Sequence, residues 1–333
     1  MPAPEFSALF RDQPVLITGG LGFIGSNLAR RLVDGGARVT VLDSLIPEYG
    51  GNIFNLDGYA DRVRINIGDM RDEFGIRHLV RDQAYIFNLA GQTSHLDSMN
   101  DPFTDLDINC RSQLFLLEAC RRYNPAARII YASTRQVYGK PERLPVGENH
   151  PLAPVDINGI HKLAGGWYHI LYHRVYGLRT TSLRLTNTYG PRMRVVDARQ
   201  TFLGLWLRQV LDGDVVEVYG DGRQVRDFNH VDDVLDALLQ TAVTPATEGG
   251  TYNLGGSEVI SLRDLAVLMV QLNGTGRYRL VPFPAGRQAI DIGDYCGDYT
   301  KFRLAVGWQP RVPLAEGLRR TLDYYRVHRQ HYW

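Results

Sequence analysis

The feature that most narrows the fold lies near the N-terminus, in Thr18-Gly19-Gly20-Leu21-Gly22-Phe23-Ile24-Gly25. The apolar run before it, residues 14–18 (PVLIT), reads as a short buried strand. Residues 22–34 after it have helical periodicity, with Ile24, Leu28, Leu32 and Val33 on one face. Gly19, Gly22 and Gly25 recur every third residue. Glycine there permits a tight turn, close approach of backbone to a ligand, and close packing of helix on strand. The following helix start presents unpaired N–H groups and a positive dipole end to an anion. A glycine-rich turn without a ligand would share the glycines, but the strand before and the helix after are the context that a dinucleotide diphosphate requires.

A second strand, residues 38–42 (RVTVL), ends at Asp43. A carboxylate at that point accepts hydrogen bonds from the adenosine ribose hydroxyls and repels a 2′-phosphate, which predicts NAD rather than NADP. Further strands are predicted at 63–67, 84–88, 127–131 and 180–185, with helices at 101–123 and 156–177. This alternation predicts an α/β fold, a Rossmann-type doubly wound parallel sheet. After residue 186 the rhythm breaks. A helix at 199–212 precedes a short strand and a turn-rich basic stretch over 215–230, and helices follow at 231–242, 261–272 and 314–328. We assign residues 1–186 plus about 221–248 to the NAD-binding domain. Residues 187–220 and 249–333 form a smaller, interleaved α/β substrate domain.

The chain has 333 residues and a formal net charge of +1, so no global field draws it to nucleic acid or anionic membrane. Three cysteines, Cys110, Cys120 and Cys296, show neither a disulfide framework nor metal spacing, and no metal is expected. The N-terminal stretch has no basic segment followed by an apolar one, and no run is long enough to span a membrane; the expected location is the cytoplasm. Lysine occurs only at Lys140, Lys162 and Lys301. In so arginine-rich a chain, a surviving lysine points to a need for a compact, titratable ammonium.

The Gly-x-x-Gly-x-x-Gly spacing resembles the extended short-chain dehydrogenase/reductases, and other landmarks follow in that family's order. Gly68-Asp69-Met70-Arg71-Asp72 resembles the adenine-contacting segment, and Asn88-Leu89-Ala90-Gly91-Gln92 the strand end beneath the nicotinamide ribose. Asn109 matches an asparagine that holds the active site. Ser133-Thr134-Arg135-Gln136-Val137-Tyr138-Gly139 resembles the signature of nucleotide-sugar epimerases and dehydratases. Leu185-Thr186-Asn187-Thr188-Tyr189-Gly190-Pro191 and Val225-Arg226-Asp227-Phe228 resemble motifs that grip a sugar nucleotide. The resemblance implies cofactor contacts from Gly19, Gly22, Phe23, Ile24, Gly25, Asp43, Ser44, Asp69, Met70, Leu89, Ala90, Gln92, Asn109, Ser133, Lys162 and Leu185. It implies substrate contacts from Gln92, Thr134, Asn187, Arg226 and Arg287, with Arg192, Arg194 and Arg199 either nucleotide contacts or a basic loop. It also implies a homodimer paired through helices 101–123 and 156–177, for which Leu114, Leu117, Tyr168, Leu171 and Tyr172 supply apolar surface.

One departure bears on the chemistry. The family's catalytic pair is Tyr-x-x-x-Lys, whose spacing puts both side chains on one helix face. Here Lys162 is present, but position 158 is Asn158, and an amide does no useful acid–base work near neutral pH. His161, beside Lys162, and His95, after the Gln92 motif, are the candidate replacements. A relay through Thr134 and solvent is another route, and loss of the chemistry is a third. Where 4,6-dehydratases resemble S-T-D-E, this chain has Arg135 and Gln136, neither of which supplies an acid for elimination. The expected function is therefore an NAD-dependent epimerase acting on a nucleotide-activated sugar through a transient keto-sugar. The alternatives are a 4,6-dehydratase or dehydrogenase, or a weakened NAD- and sugar-nucleotide-binding protein. Catalytic roles are assigned to Thr134, Lys162, Asn158 and His161.

Overall fold

The computed structural model describes residues 4–333; the first three residues of the N-terminal stretch lie outside it. Among the described residues, twelve strands form three sheets: β1 (Pro14–Thr18), β2 (Arg38–Asp43), β3 (Arg64–Ile67), β4 (Tyr85–Asn88), β5 (Arg128–Thr134), β6 (Arg179–Leu185), β7 (Asn187–Tyr189), β8 (Val215–Tyr219), β9 (Val225–His230), β10 (Thr251–Asn253), β11 (Val259–Ser261) and β12 (Arg277–Val281). Seven strands make one parallel sheet in the order β3-β2-β1-β4-β5-β6-β10.

Both faces of this sheet are covered, which is why its central strands read as unbroken apolar runs. In β1, Val15 and Ile17 join one core cluster while Leu16 joins another, and all three are fully buried. The helices Phe23–Asp34 and Val231–Val243 pack together over the first cluster. Glu73–Leu79, Ser112–Tyr123 and the last turns of Ile157–Tyr176 pack over the second. The strand order reverses between β1 and β4, so a crevice opens at their carboxyl ends, where ligands of such sheets bind.

The helix expected over 101–123 runs from Pro102 to Tyr123, with one wider, π-helical turn at Asp107–Arg111. At that turn, Ser112 Oγ and Gln113 Nε2 both donate to Ile108 O. Two sequence expectations need correction. The domain boundary near 248 moves: β10 pairs with β6, so the large sheet takes its last strand from 251–253. The turn-rich stretch over 215–230 holds two strands. The second, β9, is central to the sheet β11-β9-β7, and β12-β8 makes a separate pair. Helices Phe202–Asp212, Leu262–Asn273 and Leu314–His328 cover this smaller unit.

Among the described residues no helix is long and apolar enough to cross a membrane, and no group of side chains is arranged to hold a metal ion. All three cysteines are free.

Candidate active site

The glycine-rich turn is built as its residue types require. Gly19 has φ +69°, and a Cβ there would press on Ala90 at 3.0 Å. A Cβ on Gly25 would stand 2.1 Å from Gly19 O, so the helix could not start so close to the turn. Thr18 fastens the turn to the end of β4: its Oγ1 donates to Asn88 Oδ1 at 3.0 Å and accepts from the N–H groups of Leu89 and Ala90, both at 3.1 Å. Asp43 Oδ2 accepts from Leu21 N at 2.9 Å, and Oδ1 from Leu45 N at 3.0 Å. Burial raises the pKa of this carboxyl, and backbone N–H groups of Leu45, Leu21 and Gly22 oppose that rise. Each oxygen keeps lone-pair capacity for a ribose hydroxyl.

Gly19, Gly22, Phe23, Ile24, Gly25, Asp43, Ser44, Asp69, Met70, Leu89 and Ala90 line one cleft, joined by Gly91. Lys162, Asn109 and Gln92 form the buried layer behind that wall. A Cβ on Gly91 would meet Lys162 Nζ at 2.7 Å and Asn109 Oδ1 at 2.8 Å, so both polar atoms converge on this glycine. Lys162 Nζ donates to Ala132 O at 3.3 Å, while Asn109 Oδ1 is buried and, among the described residues, without a partner. Burial pushes the ammonium down to about 8, against a smaller upward pull from Asp105. Two expected cofactor contacts lie elsewhere: Ser133 lines a separate groove beside Trp167, and Leu185 packs against the core.

A larger cleft adjoins the first at Gln200, which lines both, and runs between the two units. Asn187, Arg226 and Arg287 line it, together with Ser94, His95, Arg135 and Gln136. Arg226 is buried in β9; its guanidinium donates to the carbonyls of Val225 and Gly293 and pairs with Asp291 Oδ1 at 3.5 Å. Burial, then repulsion from Arg135, lowers its pKa to about 10. Thr134 ends β5 half-buried, and its Oγ1 accepts from Gln136 N at 3.2 Å, leaving the hydroxyl proton free to donate. Gln92 and Thr134 do not line this cleft. Gln92 is buried, with its amide on Ser94 O at 2.9 Å. The arginines after Pro191 are engaged by the fold: Arg192 donates to Asn27 Oδ1, Arg194 pairs with Asp197, and Arg199 pairs with Asp97 at 3.1 Å.

The residues proposed as replacements for tyrosine separate clearly. Asn158 is buried, and its amide donates to Gln92 O at 2.8 Å and Asp105 Oδ2 at 3.1 Å. His161 points to the same buried carboxylate, with Nδ1 2.7 Å from Asp105 Oδ1, and lines neither cleft. His95 lines the larger cleft, with Nδ1 3.0 Å from Asp156 Oδ2. Asp156 caps the helix Ile157–Tyr176 through Gly159 N and accepts from Gln136 Nε2 at 2.7 Å. Burial alone would raise its pKa, but His95, the cap and Gln136 together hold it below the usual carboxylate range. Sequence reasoning missed Asp105 and Asp156. The second could have been found as an Asp one residue before a helix, with its partner donor three residues on.

A family model described as the NAD dependent epimerase/dehydratase family matches residues 15–255. The chain belongs to the NAD-dependent epimerase/dehydratase family. It is 33% identical over 324 residues to a dTDP-glucose 4,6-dehydratase of Streptomyces niveus, covering 95% of this chain and 93% of that one. The dTDP-glucose 4,6-dehydratase of Streptomyces venezuelae, solved with NAD bound, superposes with TM-score 0.87 at 29% identity, covering 96% of this chain and 98% of that one. The UDP-glucose 4-epimerase of Thermotoga maritima, solved with UDP-glucose, gives TM-score 0.86 at 30% identity, covering 95% and 99%. The cofactor of this family is NAD, and the cradle described above fits it: three glycines clear the diphosphate path, Asp43 faces the ribose position, and Asn109 Oδ1 and Lys162 Nζ stand at the far end with unused hydrogen-bonding capacity.

Proposed function

We propose that this family member is an epimerase of a nucleotide-activated sugar, working through a transient keto-sugar. The observation that carries this reading is the pair of adjoining clefts, one a dinucleotide cradle with Lys162 behind it and the other lined by arginines suited to a diphosphate. Bound NAD supplies a hydride acceptor that later returns the hydride. The remaining tasks fall to side chains. Lys162 and Asn109 hold the ribose, Arg226 and Arg287 hold the diphosphate, and Thr134, which precedes the cleft-lining Arg135 and keeps its hydroxyl proton free, donates to the reacting sugar oxygen once substrate is seated. Asn187 helps to position the sugar. Elimination is disfavoured because Gln136 is tied to Asp156 and Arg135 carries no transferable proton near neutral pH.

The test is turnover of sugar nucleotides by protein as purified. We expect a product of unchanged mass and no net NADH; a product lighter by one water overturns the epimerase in favour of a dehydratase, and stoichiometric NADH favours a dehydrogenase.

We also propose a homodimer. Of the residues named from the sequence, Leu117 and Tyr172 are buried and Leu114 and Tyr168 pack against the core; only Leu171 is exposed. The exposed stripe on the helix Ile157–Tyr176 is Ile160, Trp167, Leu171 and Val175, on one helical face. Light scattering should give twice the chain mass, and Leu171→Glu should reduce it to one chain; a monomeric unmutated protein would refute the pairing.

A further inference from the structure

A third recess, of about 270 Å³, shares no lining residue with either cleft. One wall is the helix Ile157–Tyr176, which presents Leu163, Gly166, Ile170 and Arg174 at helical spacing. Ser133 and Ser182 lie in the floor, on the neighbouring strands β5 and β6, with Arg184 two residues further along β6. Lys301, from the short helix Thr300–Val306, stands on the other side.

The charges of this recess do not cancel. Among the described residues, Arg174 makes no hydrogen bond or ion pair. Lys301 Nζ donates to Thr251 O at 2.8 Å and lies 4.7 Å from the Tyr252 ring centroid. Arg184 is buried over the Tyr138 ring, 4.8 Å from its centroid, and its Nη1 donates to the Tyr138 hydroxyl at 2.6 Å. Its Nε and Nη2 have no hydrogen-bond partner among the described residues, and neither is sealed from solvent. The one carboxylate, Glu148, accepts from Asn253 N at 2.8 Å and forms no ion pair with any of the three cations. The hydroxyls of Ser133 and Ser182 are also without partners among the described residues. Gly166 leaves them uncovered: a Cβ there would stand 3.6 Å from Ser182 Oγ and 3.9 Å from Ser133 Oγ, and a longer side chain would fill the space above them.

A desolvated guanidinium with no counter-charge costs the fold energy that an anion recovers. Cations from three separate elements, with two hydroxyls beneath, offer donors from several sides. That arrangement suits a tetrahedral oxyanion better than a planar carboxylate. Three cations against one carboxylate leave a surplus of two charges, which matches a phosphate dianion.

We propose that this recess is a binding site for a phosphate dianion, free or as a monoester, held by Arg174, Arg184, Lys301 and the hydroxyls of Ser133 and Ser182. The bound group ties the helix that carries Lys162 to the strand end that carries Thr134. Trp167 stands at the rim and offers an aromatic face to the organic part of a monoester.

The experiment is calorimetric titration of the NAD-loaded protein with inorganic phosphate and with phenyl phosphate. Arg174→Gln and Lys301→Gln, at exposed positions, each weaken binding by about tenfold, the scale of one charge-assisted hydrogen bond. Gly166→Glu gives the recess its own carboxylate. It abolishes the binding and melts above Gly166→Gln, which fills the same space without the charge. Tighter phenyl phosphate identifies a monoester packed on Trp167, and equal affinity identifies the free ion. Should Gly166→Glu fail to fold, the two surface substitutions decide. Phosphate bound equally by the parent and these variants sits among the arginines of the larger cleft; that result, or no binding at all, overturns the site.

Discussion

Lys162→Met is expected to abolish most turnover and, at the same time, to make the cofactor-free protein harder to unfold. The ammonium is buried, with Ala132 O its one hydrogen-bond partner among the described residues. Burial lowers its pKa from 10.5 to about 8. Below pH 8 the lysine is protonated in both folded and unfolded chains, so the desolvation cost is present in full, on the order of 3 kcal/mol. Between about pH 8 and 10.5 the unfolded chain binds the proton more tightly than the folded one. Stability therefore rises with pH across that window as the cost is relieved. Methionine has no charge to desolvate, so its advantage in denaturant is greatest below pH 8 and fades towards 10.5. Activity moves the other way. In the proposed reaction the protonated form orients the ribose and lowers the proton affinity of the reacting hydroxyl, so kcat/KM of the unmutated enzyme is expected to decline above about pH 8, and Lys162→Met to lose about 10²–10⁴-fold. Denaturation and rate measurements from pH 6 to 10 check both halves. A Met variant less stable than the parent at pH 7 would show that the ammonium is net stabilising and the argument wrong.

The phosphate turn, Asp43 and Lys162 were legible in the sequence because each depends on neighbours close in the chain: a glycine every third residue, a strand end, a helix face. The β9 strand was not legible. Arg226 and Asp227 make Val225–His230 look like a solvated turn, yet both are buried, held by carbonyls and N–H groups from residues 255–297 that no local pattern announces. The three-residue strands β7 and β10 are too short for periodicity and exist through their partners. The wider turn at Asp107–Arg111, within the continuous helix, was hidden because apolar spacing continues through it, while the polar bonds of Ser112 and Gln113 that favour it do not alter that spacing. The two histidines looked alike in the sequence for the same reason. What separates them is which remote carboxylate each one faces.

That separation leads to the second large effect: His95→Gln is expected to lose about 10²–10⁴ in kcat, and His161→Gln far less. An amide at 158 cannot move a proton, and Asn158 is committed to Gln92 and Asp105. In the proposed reaction, the proton leaving the sugar hydroxyl needs another acceptor within the cleft. His95 borders that cleft, while Asp156, held ionised by its cap and by Gln136, stands 3.0 Å from Nδ1. The contact lies off the line of a good hydrogen bond, and catalytic contacts of this kind tighten when substrate closes the site. A carboxylate at Nδ1 fixes the tautomer that leaves Nε2 basic, the role of the orienting residue in nucleophile–base–acid arrays. Asp156→Asn separates this role from mere capping, because asparagine caps a helix nearly as well as aspartate. Its one carbonyl oxygen keeps the Gly159 cap and gives up the bond from Gln136 Nε2, so it should cost about 1–3 kcal/mol of stability while reducing kcat and moving the lower limb of the pH–rate profile. His161 instead faces Asp105, which also receives Asn109 and Asn158, so its replacement disturbs a buried polar knot and shows first as lost stability. If His161→Gln stops turnover while His95→Gln keeps it, the proton travels through the Asp105 knot and His95 is a bystander.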